Sequence, residues 1–182
     1  DAQEYYEDHN SKRDSVAEND LRPLINDFQN GTVDVVEFRS RIDGLNKQNQ
    51  LWGFDGFVGQ MHFNKLLGAA PDDSDFGDQL RTAIIPPETV EKAGERIDSF
   101  AEYTQRLKEN DIDFDPFPKS TIFFLTYFWH IQRPTEWPIF YPTSEQYLDE
   151  QDLLDTGEPY GTRYKNFVDT LDQLREEAAE WL

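Results

Sequence analysis

The chain has 182 residues, 37% of them apolar and 14% aromatic, with 37 acidic against 17 basic side chains and a formal net charge of -20. That length suits one domain able to bury a core without staples, and the high aromatic share makes it an aromatic core. The lack of cysteine excludes disulfides, thiol chemistry and zinc sites of the Cys type. No apolar run reaches the roughly 18 residues of a membrane span, and the acidic start, Asp1-Ala2-Gln3-Glu4, is unlike a signal peptide.

The acids are spread along the chain, as in Asp72, Asp73, Asp75 and Asp78, and again in Glu176, Glu177 and Glu180. Such a charge repels itself unless counterions screen it, so an even acidic coat with few lysines reads as adaptation to a salt-rich cytosol. The rival reading is an acidic protein that binds a basic partner or mimics nucleic acid. A cytoplasmic location with no membrane partner is expected. A chain that starts without Met is expected to be a processed or excised piece of a longer protein, with other subunits or domains of a larger assembly as partners.

In chain order, residues 1–15 are polar and read as an arm or a short helix, ahead of a single helical domain over 16–182. Val16, Leu21, Leu24, Ile25 and Phe28 recur at helical spacing, and Asn30-Gly31 supplies a stop. A second helix follows, carrying Phe38, Ile42 and Leu45, with Thr32 as its N-cap. The run from Leu51 to Gly59 interleaves three glycines with large rings, which predicts a tight, partly buried turn leading into a helix over 58–67. After a loop over 71–74 comes a short helix over 76–85, ended by Pro86-Pro87, which also start the long amphipathic helix of 88–108. An acidic loop over 110–118 precedes Ser120 to Ile131, apolar nearly all round and therefore the central buried helix. Prolines 134, 138 and 142 make 133–142 extended, and two more helices over 144–154 and 162–182 flank a turn at 157–161. The fold expected is mainly α: a single helical domain of about seven to eight helices with an extended Pro-rich aromatic segment near 133–142.

Signatures of catalysis are missing. There is no P-loop, no Gly-x-Ser-x-Gly elbow and no His-Glu-x-x-His helix, and Gly53, Gly56 and Gly59 do not make a dinucleotide fingerprint. Asp111, Asp113 and Asp115 imitate the opening of a calcium loop, but Pro116 and Ile122 stand where its glycine and glutamate are needed. His62 and His130 each fall in an aromatic segment, where an imidazole needs a hydrogen-bond partner whether or not it has a task. No enzyme activity, cofactor or metal is expected.

The remaining signal is aromatic. Trp52 and Phe57 in one segment, and Trp129, Trp137 and Tyr141 in another, stand among the polar side chains Gln60, Asn64, His130 and Arg133. Rings and polar handles of this kind line pockets for planar ligands such as a flipped base, and they equally build an aromatic core. Both readings stay open at the level of sequence.

At these same residues the chain resembles a known family. Leu51-Trp52-Gly53-Phe54-x-Gly-Phe57-x-Gly-Gln60-Met61-x-Phe63-Asn64, then Pro118-x-Ser120-x-x-Phe-Phe-Leu, then Trp129-x-x-Gln132-x-Pro134-x-x-Trp137-Pro138-Ile139-Phe140-Tyr141, is similar to helical regions ahead of AAA-type motors. The motors are those of McrB-like, modification-dependent restriction proteins, here of haloarchaeal type, and the resemblance covers roughly residues 30–145. It implies an N-terminal module of a larger protein, a non-catalytic recognition module of a DNA-targeting defence protein, with Trp52, Phe57, Trp129, Trp137 and Tyr141 as candidate pocket residues for modified DNA. DNA binding wants a basic face, and here Lys and Arg are few and scattered. The alternative function is an acidic protein–protein interaction or scaffold domain.

Overall fold

The computed structural model describes residues 2–110 and 113–180. Asp1, Asp111, Ile112, Trp181 and Leu182, and with them parts of the expected arm, acidic loop and last helix, lie outside the described residues. Among the described residues the architecture is helical without strands, a mainly α single domain. Among the described residues no helix is long and apolar enough to cross a membrane.

The first 28 described residues form one unbroken helical rod. Helix α1 (Ala2–Val16) passes through a π turn (Ala17–Leu21) into α2 (Arg22–Gln29). No break falls at residues 15 and 16, where the arm was expected to end, because Val16 and Ala17 are buried and Arg13 is anchored through two bonds to the Leu51 carbonyl. Pro23 explains the π turn: it has no N–H to offer and its ring crowds the preceding turn, so the helix widens there. The Arg22 N–H reaches back five residues to the Ala17 carbonyl.

Helix α3 (Val35–Asn49) starts three residues after Thr32. Asp34 is its cap, accepting the Glu37 N–H at 2.8 Å, and Glu37 sits at the third helical position as in a capping box. The glycine-aromatic turn forms as expected. Gly53 has φ +68°, and Gly59 lies so close to the Phe54 backbone that a Cβ would stand 2.2 Å from the Phe54 carbonyl oxygen. A second π turn (Phe57–Met61) then opens α4 (His62–Ala69).

Helix α5 (Asp73–Ala83) begins earlier than expected because Asp72 caps it, accepting the N–H groups of Ser74 and Asp75. Helix α6 (Val90–Asn110) begins after Pro86-Pro87, not on them; Thr89 takes the capping role and accepts the Lys92 N–H. Helix α7 (Thr121–Gln132) is the central element, with every residue from Thr121 to Trp129 buried. Around it rings interlock: Phe54 lies 4.2 Å from Tyr127, Phe63 5.4 Å from Phe124, and Trp129 5.8 Å from Trp137. Asn46 of α3 and the Tyr127 hydroxyl satisfy each other inside this apolar mass.

The Pro-rich stretch turns once over 134–136 and runs extended to Tyr141, tied to α7 where the Phe140 N–H donates to Thr126 Oγ1. Helix α8 (Pro142–Glu150) begins on Pro142, a residue that suits the first helical position. Helix α9 (Tyr160–Glu180) starts before the expected residue 162 and crosses α6 at two glycines. A Cβ on Gly161 would stand 2.3 Å from the Gly94 carbonyl, and the Asp98 carboxylate of α6 accepts the Gly161 N–H at 2.7 Å.

Candidate functional site

The nine side chains singled out in the sequence do not form one pocket. Trp129 is fully enclosed and its indole N–H donates to the Ala83 carbonyl at 3.0 Å, a bond that holds α7 to the end of α5. Trp137 is buried against it, so both belong to the core. Gln60 is buried and donates to Asn64, which is exposed one turn on. Phe57 lies on the surface at 73% exposure. Arg133 is exposed and pairs locally with Glu136. Tyr141 is half-buried against Phe123.

Trp52 and His130 do come together. They line a cavity of about 360 Å³ whose other walls are Asn10, Arg13, Asp14 and Ala17 of the rod, Arg22 beyond the π turn, and Ile131 and Pro134 at the end of α7. That volume is at the lower end of small-ligand sites, which run from about 300 to 1,000 Å³. The π turn makes this wall. In an uninterrupted α-helix residue 22 would point about 140° away from residue 17. The wider turn stacks Arg22 on Ala17, and Asn10, Asp14, Ala17 and Arg22 face one cleft.

Both arginines are held in place by backbone carbonyls. Arg13 Nε and Nη2 donate to Leu51 O at 3.1 and 2.6 Å, with the guanidinium 5.9 Å from the Trp52 ring centre. Arg22 Nε donates to Ile131 O at 2.6 Å, and its Nη1 lies 3.7 Å from a Glu18 carboxylate oxygen in a half-exposed pair. His130 Nδ1 is 2.9 Å from the Trp137 carbonyl, which can only accept, so Nδ1 carries the proton and Nε2 is an acceptor. Burial lowers the His130 pKa; the Trp137 bond opposes this, and the charges of Arg13 and Arg22 lower it again. The imidazole is therefore neutral at pH 7. The cleft offers two cations, a neutral acceptor and, from Asp14, a carboxylate. Such a set can meet a phosphate oxygen and the exocyclic amino group of a base together.

His62, the other candidate imidazole, has no access to solvent. It lies edge-on to Phe124 at 5.3 Å, and burial first, then the charge of Lys65, drops its pKa to about 3. Among the described residues no cluster of three His, Asp or Glu side chains has the arrangement to hold a metal ion.

Arg13 and Arg22 were missing from the sequence-derived candidates. The signal that could have found them was Pro23 inside a helical stretch, which calls for a widened turn and a changed register. Comparison with protein-family models, with curated proteins and with solved structures gives no match to this chain.

Proposed function

We propose that the domain is a non-catalytic recognition module of a DNA-targeting defence protein, and that DNA is met at the cleft framed by Arg13, Arg22, Trp52 and His130. The carrying observation is the gathering of two anchored guanidinium groups and an aromatic edge around one cavity in a chain of net charge -20. The motif resemblance supplies the DNA; the cleft supplies cations where a phosphate needs them, with an acceptor set beside them for a base. A recognition role without catalysis is supported by His130, whose Nδ1 is committed to a carbonyl and not to a carboxylate. His62 is sealed from any substrate. The acidic coat fits a cytosol rich in potassium chloride, where the cleft still acts at short range because screening spares close contacts.

The test is a fluorescence-anisotropy titration of labelled duplexes, plain and cytosine-modified, across a potassium chloride series up to about molar strength. Loss of the Arg22 cation in Arg22→Gln should weaken binding and reduce the slope of log K against log salt by about 0.9, the amount for one phosphate contact. Circular dichroism checks that the variant keeps its helices. If the native chain binds neither duplex at any salt, the DNA reading is wrong.

A further inference from the structure

A second surface, which shares no lining residue with the arginine cleft, has different chemistry. Pro138 and Ile139 of the extended segment, Leu148 of α8 and Phe167 of α9 form the floor of an apolar groove of about 490 Å³. Its rim is exposed: Tyr147 at 62% and Leu174 at 40%. Phe167, Leu171, Leu174 and Ala178 recur at intervals of four, three and four, one stripe along α9, and from Asp172 to Ala179 the helix has no buried residue. Beyond the half-buried Leu171 the apolar stripe is thus exposed, with Leu174 and Ala178 not buried against any other element among the described residues.

We propose that this groove docks a basic amphipathic helix from a partner protein or domain. An apolar trough walled by such a stripe suits helix-in-groove recognition, in which anchors at i, i+3, i+4 and i+7 of the incoming helix enter it. The charge around it selects the partner's sign. Residues 142–179 carry ten acidic and three basic side chains. Two of those bases are already paired, Arg163 with Glu145 and Arg175 with Asp172. A lysine- or arginine-flanked helix gains from those carboxylates, whereas a second copy of this chain would bring like charge against like. The inference does not depend on the DNA reading, since the groove shares no residue with the arginine cleft.

The probe is a synthetic helix of about five turns with leucine on one face and lysine on the other, titrated into the full chain at about 0.5 M potassium chloride. Two comparison peptides keep its length: one with the same residues shuffled off the single face, one with glutamate for lysine. Calorimetry gives Kd, and amide shifts in an isotope-labelled chain give the location. The leucine/lysine helix should bind at least tenfold more tightly than either comparison, with shifts confined to α8, α9 and 138–141. Tyr147→Ser together with Leu174→Ser, both exposed positions, should lower its affinity at least tenfold while leaving the melting temperature and the DNA titration unchanged. Equal binding of the shuffled peptide, or unchanged affinity in the double variant, overturns the proposal. So does a concentration-dependent dimer in sedimentation that the double variant abolishes, which would assign the groove to a second copy.

Discussion

Acidification should destabilise the native chain most strongly through His62; His130, lowered less, acts in the same direction and cancels in a comparison with a His62 variant. In the unfolded chain the His62 imidazole titrates near the ordinary 6.5, whereas in the fold burial holds it at about 3. Between these values the unfolded state binds a proton that the native state refuses, so the contribution of His62 is full above pH 6.5 and is lost as pH falls toward the folded value. At pH 5 the unfolded state gains RT ln(1 + 10^1.5), about 2 kcal/mol, relative to neutral pH. The result is insensitive to the folded pKa so long as it stays below about 4. Carboxylate protonation relieves self-repulsion over part of the same range and works in the opposite direction, so the measurement is a difference against His62→Leu. That variant keeps the volume nearly unchanged and removes two ring nitrogens that have no hydrogen-bond partner. Urea unfolding followed by tryptophan fluorescence, at pH 7.5 and 5.0 and constant potassium chloride, gives the four stabilities required. The native chain should lose about 2 kcal/mol more than the variant on acidification. A difference within about 0.5 kcal/mol, the usual error of such cycles, would refute the buried, neutral assignment of His62.

Three other expectations rest on single features. Gly161→Ala forces a methyl onto the Gly94 backbone and should cost about 3 kcal/mol by thermal or urea unfolding, at the upper end for overpacking; Gly44→Ala, in open space on α3, should stabilise by about 0.4–1 kcal/mol. Asp34→Ala should cost about 1 kcal/mol as the α3 cap is lost, while Thr32→Ala, outside the helix, should be neutral in the same assay. The melting temperature should climb steadily as potassium chloride rises from about 0.1 to 1 M and the screening length shrinks from about 10 to 3 Å. Each kcal/mol of relieved repulsion should appear as about 2–4 °C, and a flat salt profile would show that the acidic coat is not the limiting strain.

The core was legible where chemistry is local. An apolar run from Ile122 to Trp129 has only one stable location, the centre, and glycines set between rings had to allow a close backbone approach, as Gly59 does against Phe54. Helix starts were less legible, because Thr32 and Asp34 both qualify as caps and the choice falls to the residue whose carboxylate also has Glu37 three positions on. The aromatic residues between Trp129 and Tyr141 were ambiguous for a physical reason: an indole satisfied by a carbonyl in the interior, as Trp129 is by Ala83, needs the same residue type as one lining a pocket. Arg13 and Arg22 were illegible because a 3.6-residue period sends them to different faces, and only the π turn before Pro23 brings both to the cleft.

That π turn also bears on affinity. A flexible arginine on the surface of a strongly acidic chain would fold onto the nearest carboxylate, and ordering it for a ligand would cost side-chain entropy. Here Arg13 and Arg22 are fixed through Nε to the carbonyls of Leu51 and Ile131, one at the glycine-aromatic turn and the other at the end of α7, and the half-exposed pair of Arg22 with Glu18 leaves that anchor in place. The two anchor points belong to the segments that position Trp52 and His130, so the cations and the ring edge are set by one rigid frame. Pro23→Ala should test this directly. Restoring the missing N–H lets an ordinary α turn compete with the widened one and swings Arg22 away from Ala17. The expected result is a helix at least as stable by circular dichroism but with DNA affinity lowered as far as in Arg22→Gln. Unchanged affinity in Pro23→Ala would mean that the register of the rod does not set the cleft.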